Sequence, residues 1–475
     1  MLKSNNDFRI EKDTIGEIRV PLNAYYSAQT QRAVENFPIS GLRLQPAFIH
    51  AQAIIKKAAA LSNISAGKLP SHIGNAIIQA ADEVIAGKFS DQFMVDVFQA
   101  GAGTSQNMNI NEVLANRANE ILGGQRGDYA LVHPNNHVNM AQSTNDTFHT
   151  AIHISAVLEA HHKLLPTLNY LEKSLSDKAR EFDDVLKSGR THLQDAVPIR
   201  LGQEFSAYAR MIELDIERMS RVCESLKELC IGGTAVGTGL NTDADYRNRV
   251  ILLINHETEQ SFRKAENPFE AMQSLNAVVE FSSALRILSI SLIKIADDLR
   301  LLSSGPTAGL AEIQLPAVQP GSSIMPGKVN PVMAEMINMV CFQVLGCDST
   351  IVHAARSGQL ELNVMMPVIA YNLLFAIEIL NNSITTFTSR CIAGIQANRT
   401  ICQNYAEKNP ILATALSPFL GYEKAAQLVK QALKENVSIR ELVLKENLMT
   451  EKELSNILNI RNMTDLPDKN HPQET

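Results

Sequence analysis

The stretch Gly321–Pro331 combines the polar groups that a binding site for an anion needs. It reads Gly-Ser-Ser-Ile-Met-Pro-Gly-Lys-Val-Asn-Pro, with two hydroxyls behind a glycine, a Pro-Gly turn and one lysine. Asn330 suits a helix N-cap and Pro331 the first helical position, which predicts a helix whose free N–H groups face the loop. The positive helix end, Lys328 and the hydroxyls would together bind an anion. Taken alone, such residues more often form an ordinary helix-entry turn.

Three further polar loops have the same kind of composition. Gly101–Ser105 precedes one predicted helix, Gln142–Asp146 precedes a longer one, and Gly189–Asp195 follows the longer one. Hydroxyls beside helix-start N–H groups either cap the helix or bind a ligand. The candidate side chains in these loops are Thr104, Ser143, Thr144, Asn145, Thr191 and His192. Each loop by itself is also typical of a simple helix cap.

The spacing of these loops has a consequence for the assembly. Apolar residues at helical intervals predict a helix over residues 146–186, with Pro166 as a kink. Such a helix is roughly 60 Å long at 1.5 Å per residue. Ser143 and His192 would therefore lie at opposite ends of one subunit. If they serve one site, they come from different copies of the chain, which predicts an obligate homo-oligomer.

Several standard catalytic motifs are excluded. The stretch Gly321–Pro331 is not a P-loop, since its lysine is followed by Val329. Gly101-Ala-Gly103 lacks the third glycine of a dinucleotide-binding motif. Two histidine pairs have i, i+4 spacing without the glutamate of a zinc protease, namely His133/His137 and His149/His153. There is no Gly-x-Ser-x-Gly elbow. The sequence therefore predicts no metal site and no nucleotide site.

Composition narrows the class of protein further. The 475 residues carry a net charge of −7 without a basic stripe, so nucleic acid is not an expected partner. The N-terminus has no apolar signal core, and no run reaches the roughly 18 apolar residues that a membrane span needs. Six scattered cysteines without a Cys-x-x-Cys motif indicate a reducing compartment. We expect a soluble, cytoplasmic protein.

Helical periodicity dominates the rest of the chain. Residues 8–22 alternate apolar and polar and predict a short β element near the N-terminus. Helices are expected at 47–62, 72–86, 106–121, 146–186, 204–230, 268–302, 331–345, 366–392, 422–435, 438–446 and 451–458. Asn267 is the expected cap of the helix from 268, which is apolar enough to be buried all round. The fold class is all-α, with long helices packed as a bundle.

Three parts are predicted along the chain. Residues 1–145 form a mostly helical N-terminal domain, and residues 146–401 form a central bundle that carries Gly321–Pro331. Residues 402–475 form a small C-terminal helical domain, whose polar tail from Asp465 is expected to be disordered.

The four loops together resemble the fumarase/aspartase superfamily of lyases. The resemblance runs from Phe8–Ile18 to Leu448–Leu454, and Gly321–Pro331 is similar to the signature of the superfamily, which is highly specific. The resemblance implies a homotetramer whose core is made of packed long helices, with active sites shared between subunits. It also implies a small dicarboxylate substrate and no metal or organic cofactor.

Local residues are more similar to the ammonia-lyases of the superfamily than to its class II fumarases. Thr144 stands where the fumarases usually have serine, and Val332 follows the motif in place of their Thr-Gln. The implied reaction is the reversible elimination of ammonia from L-aspartate to give fumarate. The alternatives are a class II fumarase acting on malate and a catalytically weak structural homologue. Thr307 and Met366 depart from the usual residues and bear on loop positioning.

The resemblance also implies a role for each candidate residue. Ser322 would be the base that removes the proton next to the side-chain carboxylate, and its alkoxide would need loop N–H groups and positive charge. Thr104, Ser143, Thr144 and Ser323 would stabilise the doubly charged intermediate. Lys328 and Asn330 would bind the other carboxylate. Asn145, Thr191 and His192 would surround the amino group, with His192 alternatively a structural histidine.

Overall fold

The computed structural model describes residues 8–465. The expectations for the first seven residues and for the tail beyond Asp465 lie outside the described residues. The described residues are 62% helix and 7% strand, which confirms the all-α class with few small strands.

Seventeen α-helices follow one another along the described chain. They are α1 (Ala28–Asn36), α2 (Pro46–Ser65), α3 (Ser71–Ile85), α4 (Thr104–Ile121), α5 (Thr144–Glu159), α6 (Leu165–Glu181), α7 (Leu201–Ser225), α8 (Tyr246–Thr258), α9 (Pro268–Gln273), α10 (Asn276–Leu302), α11 (Val332–Ala355), α12 (Met366–Arg390), α13 (Arg399–Lys408), α14 (Ser417–Leu420), α15 (Tyr422–Glu435), α16 (Ile439–Lys445) and α17 (Glu451–Ile457). Most of the predicted helices are present within a few residues of their expected ends.

The strands pair two by two. They are β1 (Phe8–Lys12), β2 (Glu17–Pro21), β3 (Leu186–Thr191), β4 (Gln194–Arg200), β5 (Glu228–Leu229), β6 (Arg263–Lys264), β7 (Ile313–Gln314) and β8 (Gln396–Ala397). The antiparallel pair β1–β2 confirms the β element expected near the N-terminus. The hairpin β3–β4 was not predicted, because its polar residues do not alternate regularly with apolar ones.

The chain forms two compact units, each assembled from three segments. Unit 1 contains Met1–Pro166, Asp215–Ile290 and Val340–Asn382, and unit 2 contains Thr167–Leu214, Ser291–Met339 and Ser383–Thr475. In unit 1, the alanine-rich helix α2 packs against α3, α5 and α8. Small side chains allow this close approach, and thirteen of the helix's residues are buried. The division into three domains remains a prediction.

The long helix predicted over residues 146–186 is interrupted and ends early. It consists of α5, a π turn over Ala160–Leu164, and α6, which ends at Glu181. Pro166 has no N–H to donate to the carbonyl four residues earlier, and the π turn lies directly before it. The expected irregularity near Pro166 therefore takes the form of a π turn.

The helix expected over 268–302 is two helices. Asn267 caps the first as predicted, since its side chain accepts the N–H groups of Phe269 and Glu270 at 3.0 and 3.1 Å. This helix stops at Gln273, and α10 begins at Asn276. The prediction that the segment is buried all round is wrong for the single chain, because Ile290 is 56% exposed.

The last helices pack around an apolar cluster of their own, which includes Leu416, Leu428, Leu442 and Leu454. Ser438 and Thr450 begin α16 and α17 with capping boxes, in which each hydroxyl accepts an N–H and a glutamate accepts the N–H of the cap. The sequence therefore predicted these short helices correctly.

One helix among the described residues, Met366–Gly394, is long and apolar enough to cross a membrane by length and composition. This corrects the expectation that no stretch reaches that length. Half of its most apolar window is buried inside the protein, and core helices of globular proteins pass the same test.

Candidate active site

The loop Gly321–Pro331, here called the signature loop, is closed at its neck by two hydrogen bonds. The N–H of Gly321 donates to Lys328 O at 2.8 Å, and Asn330 Nδ2 donates to Gly321 O at 2.7 Å. The prediction that Asn330 caps a helix is therefore wrong, because its side chain closes the loop instead. Helix α11 begins at Val332, and the carbonyl of Pro331 accepts the N–H of Glu335 as its first helical bond.

Ser322 is the residue of the signature loop whose hydroxyl receives backbone donors. Its Oγ accepts the N–H of Ile324 at 3.2 Å and the N–H of Met325 at 3.0 Å. Two such donors stabilise negative charge on the oxygen more than they stabilise the neutral hydroxyl. Ser322 is half-buried, whereas Ser323 is exposed. The loop therefore favours ionisation of Ser322 in a place that a small molecule can reach.

Two cavities adjoin the signature loop within unit 2. One, of about 410 Å³, is lined by residues that include Ser322 and Lys328. The other, of about 400 Å³, has Lys328 and Asn330 in its lining. Both are large enough for a small dicarboxylate. Lys328 is exposed and borders both cavities, so it is available to an anion in either.

The start of α5 in unit 1 holds Ser143 as a helix cap, as predicted. Ser143 Oγ accepts the N–H of Asn145 at 3.3 Å, and Asp146 Oδ1 accepts the N–H of Ser143 at 2.9 Å. The other Asp146 oxygen accepts the N–H groups of Gly232 and Thr234, both at 2.9 Å. Burial nevertheless raises the pKa of Asp146 to about 6. This buried carboxyl fixes the helix start that presents the candidate hydroxyls.

The neighbouring candidate residues of unit 1 are also held by named partners. Thr144 Oγ1 accepts a hydrogen bond from Asn107 Nδ2 at 3.1 Å, and Asn145 Nδ2 donates to Ala235 O at 2.8 Å. Thr104 is the exposed first residue of α4. Gly103 before it has φ +83°, and a Cβ there would overlap the ring of Phe148. Only glycine therefore gives α4 this start.

Lys56 of α2 lies beside the polar residues at the start of α5, and the sequence did not single it out. Its Nζ is buried and donates to Asn107 Oδ1 at 2.9 Å, to Asn139 Oδ1 at 3.0 Å and to Gln142 Oε1 at 3.0 Å. Asn107 also binds Thr144, so Lys56 and Thr144 share a partner. The sequence feature that could have indicated a buried lysine is the pair Lys56-Lys57 inside an alanine-rich helix.

Lys56 makes stability depend on pH. Burial lowers its pKa from 10.5 to about 7, although the charge of Asp146 acts in the opposite sense. Between about pH 7 and 10.5, the unfolded chain binds a proton at this position that the folded chain has lost, so Lys56 makes stability rise with pH there. Lys56→Met removes this contribution. We therefore expect wild type to gain stability relative to Lys56→Met as the pH rises above 7.

The measurement is the urea midpoint of both proteins at several pH values from about 6.5 to 9.5. The control is Lys57→Met, since Lys57 pairs with Asp82 and Glu257 at 2.8 Å and its pKa is raised, so it stays charged over this range. A constant difference between wild type and Lys56→Met across the range would contradict the prediction.

Thr191 and His192 lie at the tip of the hairpin β3–β4 in unit 2. Thr191 pairs with Gln194, so His192 and Leu193 are the two turn residues, with φ +54° and +59°. Two-residue turns with both φ values positive match the twist of the strands and usually contain Asn and Gly. Larger side chains there store strain, which is common at functional sites. The side chains of Thr191 and His192 are exposed.

The candidate residues thus belong to two groups. Unit 1 contains Thr104, Ser143, Thr144 and Asn145, and unit 2 contains Thr191, His192, Ser322, Ser323, Lys328 and Asn330. The last four share the signature loop, and Thr191 and His192 share the hairpin tip. Each group offers hydroxyls, amides or a cation at the start of a helix or at a tight turn.

The histidines of the described residues do not form a metal site. Within residues 8–465 no group of three or more His, Cys, Asp and Glu side chains could hold a metal ion. The rings of His149 and His153 are buried 4.5 Å apart and contact backbone carbonyls. Burial lowers the pKa of His153 to about 3, so this imidazole is neutral, and burial also lowers the pKa of His149.

Comparison with known proteins identifies the class. A family model described as lyase matches residues 16–346, and a second, described as fumarase C C-terminus, matches residues 412–465. The chain belongs to the fumarase/aspartase superfamily of lyases. It is therefore an enzyme.

Two curated relatives have similar sequence identity to this chain but carry different enzyme names. The chain is 52% identical to aspartate ammonia-lyase of Bacillus subtilis, over 98% of both chains. It is 48% identical to a class II fumarate hydratase of Corynebacterium glutamicum, over 96% of both chains.

Solved structures agree with this assignment. A fumarate lyase:delta crystallin from Brucella melitensis bound to cobalt has a TM-score of 0.94 and 46% identity, covering 97% of this chain and 100% of that one. The class II fumarase of Schistosoma mansoni has a TM-score of 0.92 and 39% identity, covering 96% and 99%.

Proposed function

We propose that this enzyme catalyses the reversible elimination of ammonia from L-aspartate to give fumarate. The observation that carries the proposal is the signature loop, in which two backbone N–H groups donate to Ser322 Oγ beside a cavity bordered by Lys328. A serine base and a cation for a carboxylate are two of the groups that this elimination requires.

The proposed chemistry proceeds in two steps. The Ser322 alkoxide takes the proton from the carbon next to the side-chain carboxylate, which leaves that carboxylate as a doubly charged aci-carboxylate. The electron pair then returns to form the carbon–carbon double bond, the C–N bond breaks, and ammonia leaves. Thr104, Ser143, Thr144 and Ser323 are the proposed donors to the doubly charged group, where preorganised donors have their largest effect.

The remaining candidates hold the other end of the substrate. Lys328 binds the second carboxylate, and Asn330 keeps the loop closed around it through Gly321. Asn145, Thr191 and His192 surround the amino group. The substrate's own carboxylate carries the charge of the intermediate, so the proposal includes no cofactor.

The choice of aspartate over malate rests on local residues and on relatedness. Thr144 and Val332 are typical of the ammonia-lyases, and the identity to an aspartate ammonia-lyase is 52% against 48% for a fumarate hydratase. This small difference keeps the class II fumarase as the second candidate. The presence of Ser322, Lys328 and Asn330 together disfavours a catalytically weak homologue.

The deciding assay follows fumarate by ultraviolet absorbance with L-aspartate and L-malate side by side. We expect turnover of aspartate with little or no turnover of malate. Turnover of malate alone would replace the proposal with the fumarase alternative. Turnover of neither substrate would favour the structural homologue.

We also propose a cytoplasmic homotetramer with sites built from several subunits. Large apolar side chains are more than half exposed on the single chain, at 56% for Ile290, 64% for Met339 and 57% for Phe342, and such patches favour association. The six cysteines are free and buried, which fits a reducing compartment.

Shared sites predict that two inactive variants restore each other. Ser143→Ala and His192→Ala should each be nearly inactive, and mixed tetramers should contain some sites with neither substitution. We expect activity to reappear when the two are dissociated and reassembled together. The control is the same treatment of each variant alone. Mixed tetramers with no activity would indicate that each site is made by one chain.

A further inference from the structure

A buried ion cluster in unit 2 includes two residues of strand β3, Lys187 and Arg190. Glu312 is fully buried, and both of its oxygens accept hydrogen bonds from Arg190, at 3.0 and 2.9 Å. Lys187 pairs with Glu312 at 3.2 Å and with Glu204 at 2.7 Å. Two cations thus compensate two carboxylates, and at the fully buried Glu312 an unpaired charge would be strongly unfavourable.

The backbone at Glu312 is fixed on both sides. Its N–H donates to Leu302 O at 2.9 Å, and its carbonyl accepts the N–H of Asn398 at 2.8 Å. The next residue begins strand β7, from which the chain continues to the signature loop. The Glu312 carboxylate is therefore a rigid anchor on the segment that leads to the proposed base.

Arg190 connects this anchor to the hairpin tip. It directly precedes Thr191 and His192, and the strand pairing shifts between Ser188 and Arg190. Beyond Arg190, both turn residues have positive φ and are exposed, so the tip has few contacts of its own to fix it. The hydrogen bonds from Arg190 to the buried carboxylate of Glu312, with the ring of Tyr405 at 5.6 Å from the guanidinium carbon, hold this strand end.

We propose that Glu312 is a positioning residue, which through Arg190 holds Thr191 and His192 where the substrate's amino group is bound. This inference rests on the proposed ammonia-lyase function. The competing role is structural only, in which the cluster stabilises unit 2 and affects all steps alike.

The two roles differ in what Glu312→Gln changes. The substitution keeps the shape of the side chain but removes the charge of the carboxylate that accepts both hydrogen bonds of Arg190, so the hairpin tip can shift. A displacement of about 1 Å in a positioning group lowers rates by about 100-fold. In the amination of fumarate, KM for ammonium should rise and kcat should fall. KM for fumarate should stay within about twofold, because its carboxylates bind at other residues.

The experiment measures both KM values and kcat for wild type, Glu312→Gln, Glu312→Asp and a matched control. The control is Asp348→Asn, since Asp348 is also buried and accepts from Arg286 at 2.9 Å and Ser282 at 2.7 Å. We expect Asp348→Asn to lower thermal stability without separating the two KM values. Glu312→Asp keeps the charge and should recover part of the lost ammonium affinity.

A second variant covers the case in which Glu312→Gln does not fold. Arg190→Gln leaves Glu312 paired with Lys187 and should separate the two KM values in the same way. Equal changes in both KM values, or the same separation in Asp348→Asn, would overturn the inference. Wild type that turns over no aspartate would instead overturn the proposed function, so the two failures are distinguishable.

Discussion

Ser322→Ala is expected to lower kcat for aspartate deamination by about 10³-fold, the range in which a positioned general base contributes. Ser322 Oγ is the atom toward which the N–H groups of Ile324 and Met325 point, and alanine offers them no oxygen. Fumarate should still bind, because its proposed contacts to Lys328 and to the other hydroxyls remain. Steady-state kinetics together with a fumarate binding isotherm separates the two effects.

The control for Ser322→Ala is Ser438→Ala. Ser438 Oγ also accepts a backbone N–H, that of Glu441 at 3.2 Å, but it caps α16 in the C-terminal region. Losing this cap should cost about 1 kcal/mol of stability and leave kcat unchanged. A Ser322→Ala enzyme with a rate near that of wild type would remove Ser322 as the base.

Gly321→Ala is expected to lower kcat/KM by about 100-fold through displacement of the signature loop. A Cβ at Gly321 would overlap Lys328 O and lie 2.9 Å from Asn330 N. These atoms belong to the neck of the loop, where Gly321 N donates to Lys328 O. Opening the neck moves both Ser322 and Lys328, so the base and the carboxylate site are lost together.

Global stability should change little in Gly321→Ala, because most of the signature loop is exposed. The matched control is Gly327→Ala in the same loop, where φ is +83° but a Cβ would have no atom within 4 Å. That variant carries only the strain of a positive φ, of about 1 kcal/mol, and should lose far less activity. Thermal melting and kinetics of both variants test this. Similar losses in the two would show that the neck contact is not the cause.

The helix predictions were correct where the local sequence signal was strong. Ser143 and Asn267 cap helices as expected, because a side-chain oxygen beside free N–H groups acts through the nearest residues only. The break between α9 and α10 and the hairpin β3–β4 were missed. In both places the apolar periodicity is weak or continues through the interruption, so tertiary contacts decide the outcome.

Asn330 is the site residue whose structural role the sequence predicted wrongly. Its sequence context, Asn before Pro, is typical of a helix start, but its side chain donates to Gly321 O across the loop. The partner lies nine residues away in sequence, and no local preference reports a contact of that kind. The same limit hid Lys56 and Glu312, whose importance comes from burial among distant polar groups.

The sequence by itself determined the superfamily, the helical class and the signature loop that contains Ser322 and Lys328, because these depend on residue types at short spacing. Only the tertiary structure decided which donors point at Ser322, how Gly321 closes the loop, and how Glu312 and Arg190 form an ion pair beside the hairpin. The physical reason is that hydrogen bonds and ion pairs act over a few ångströms in space, whatever the separation along the chain.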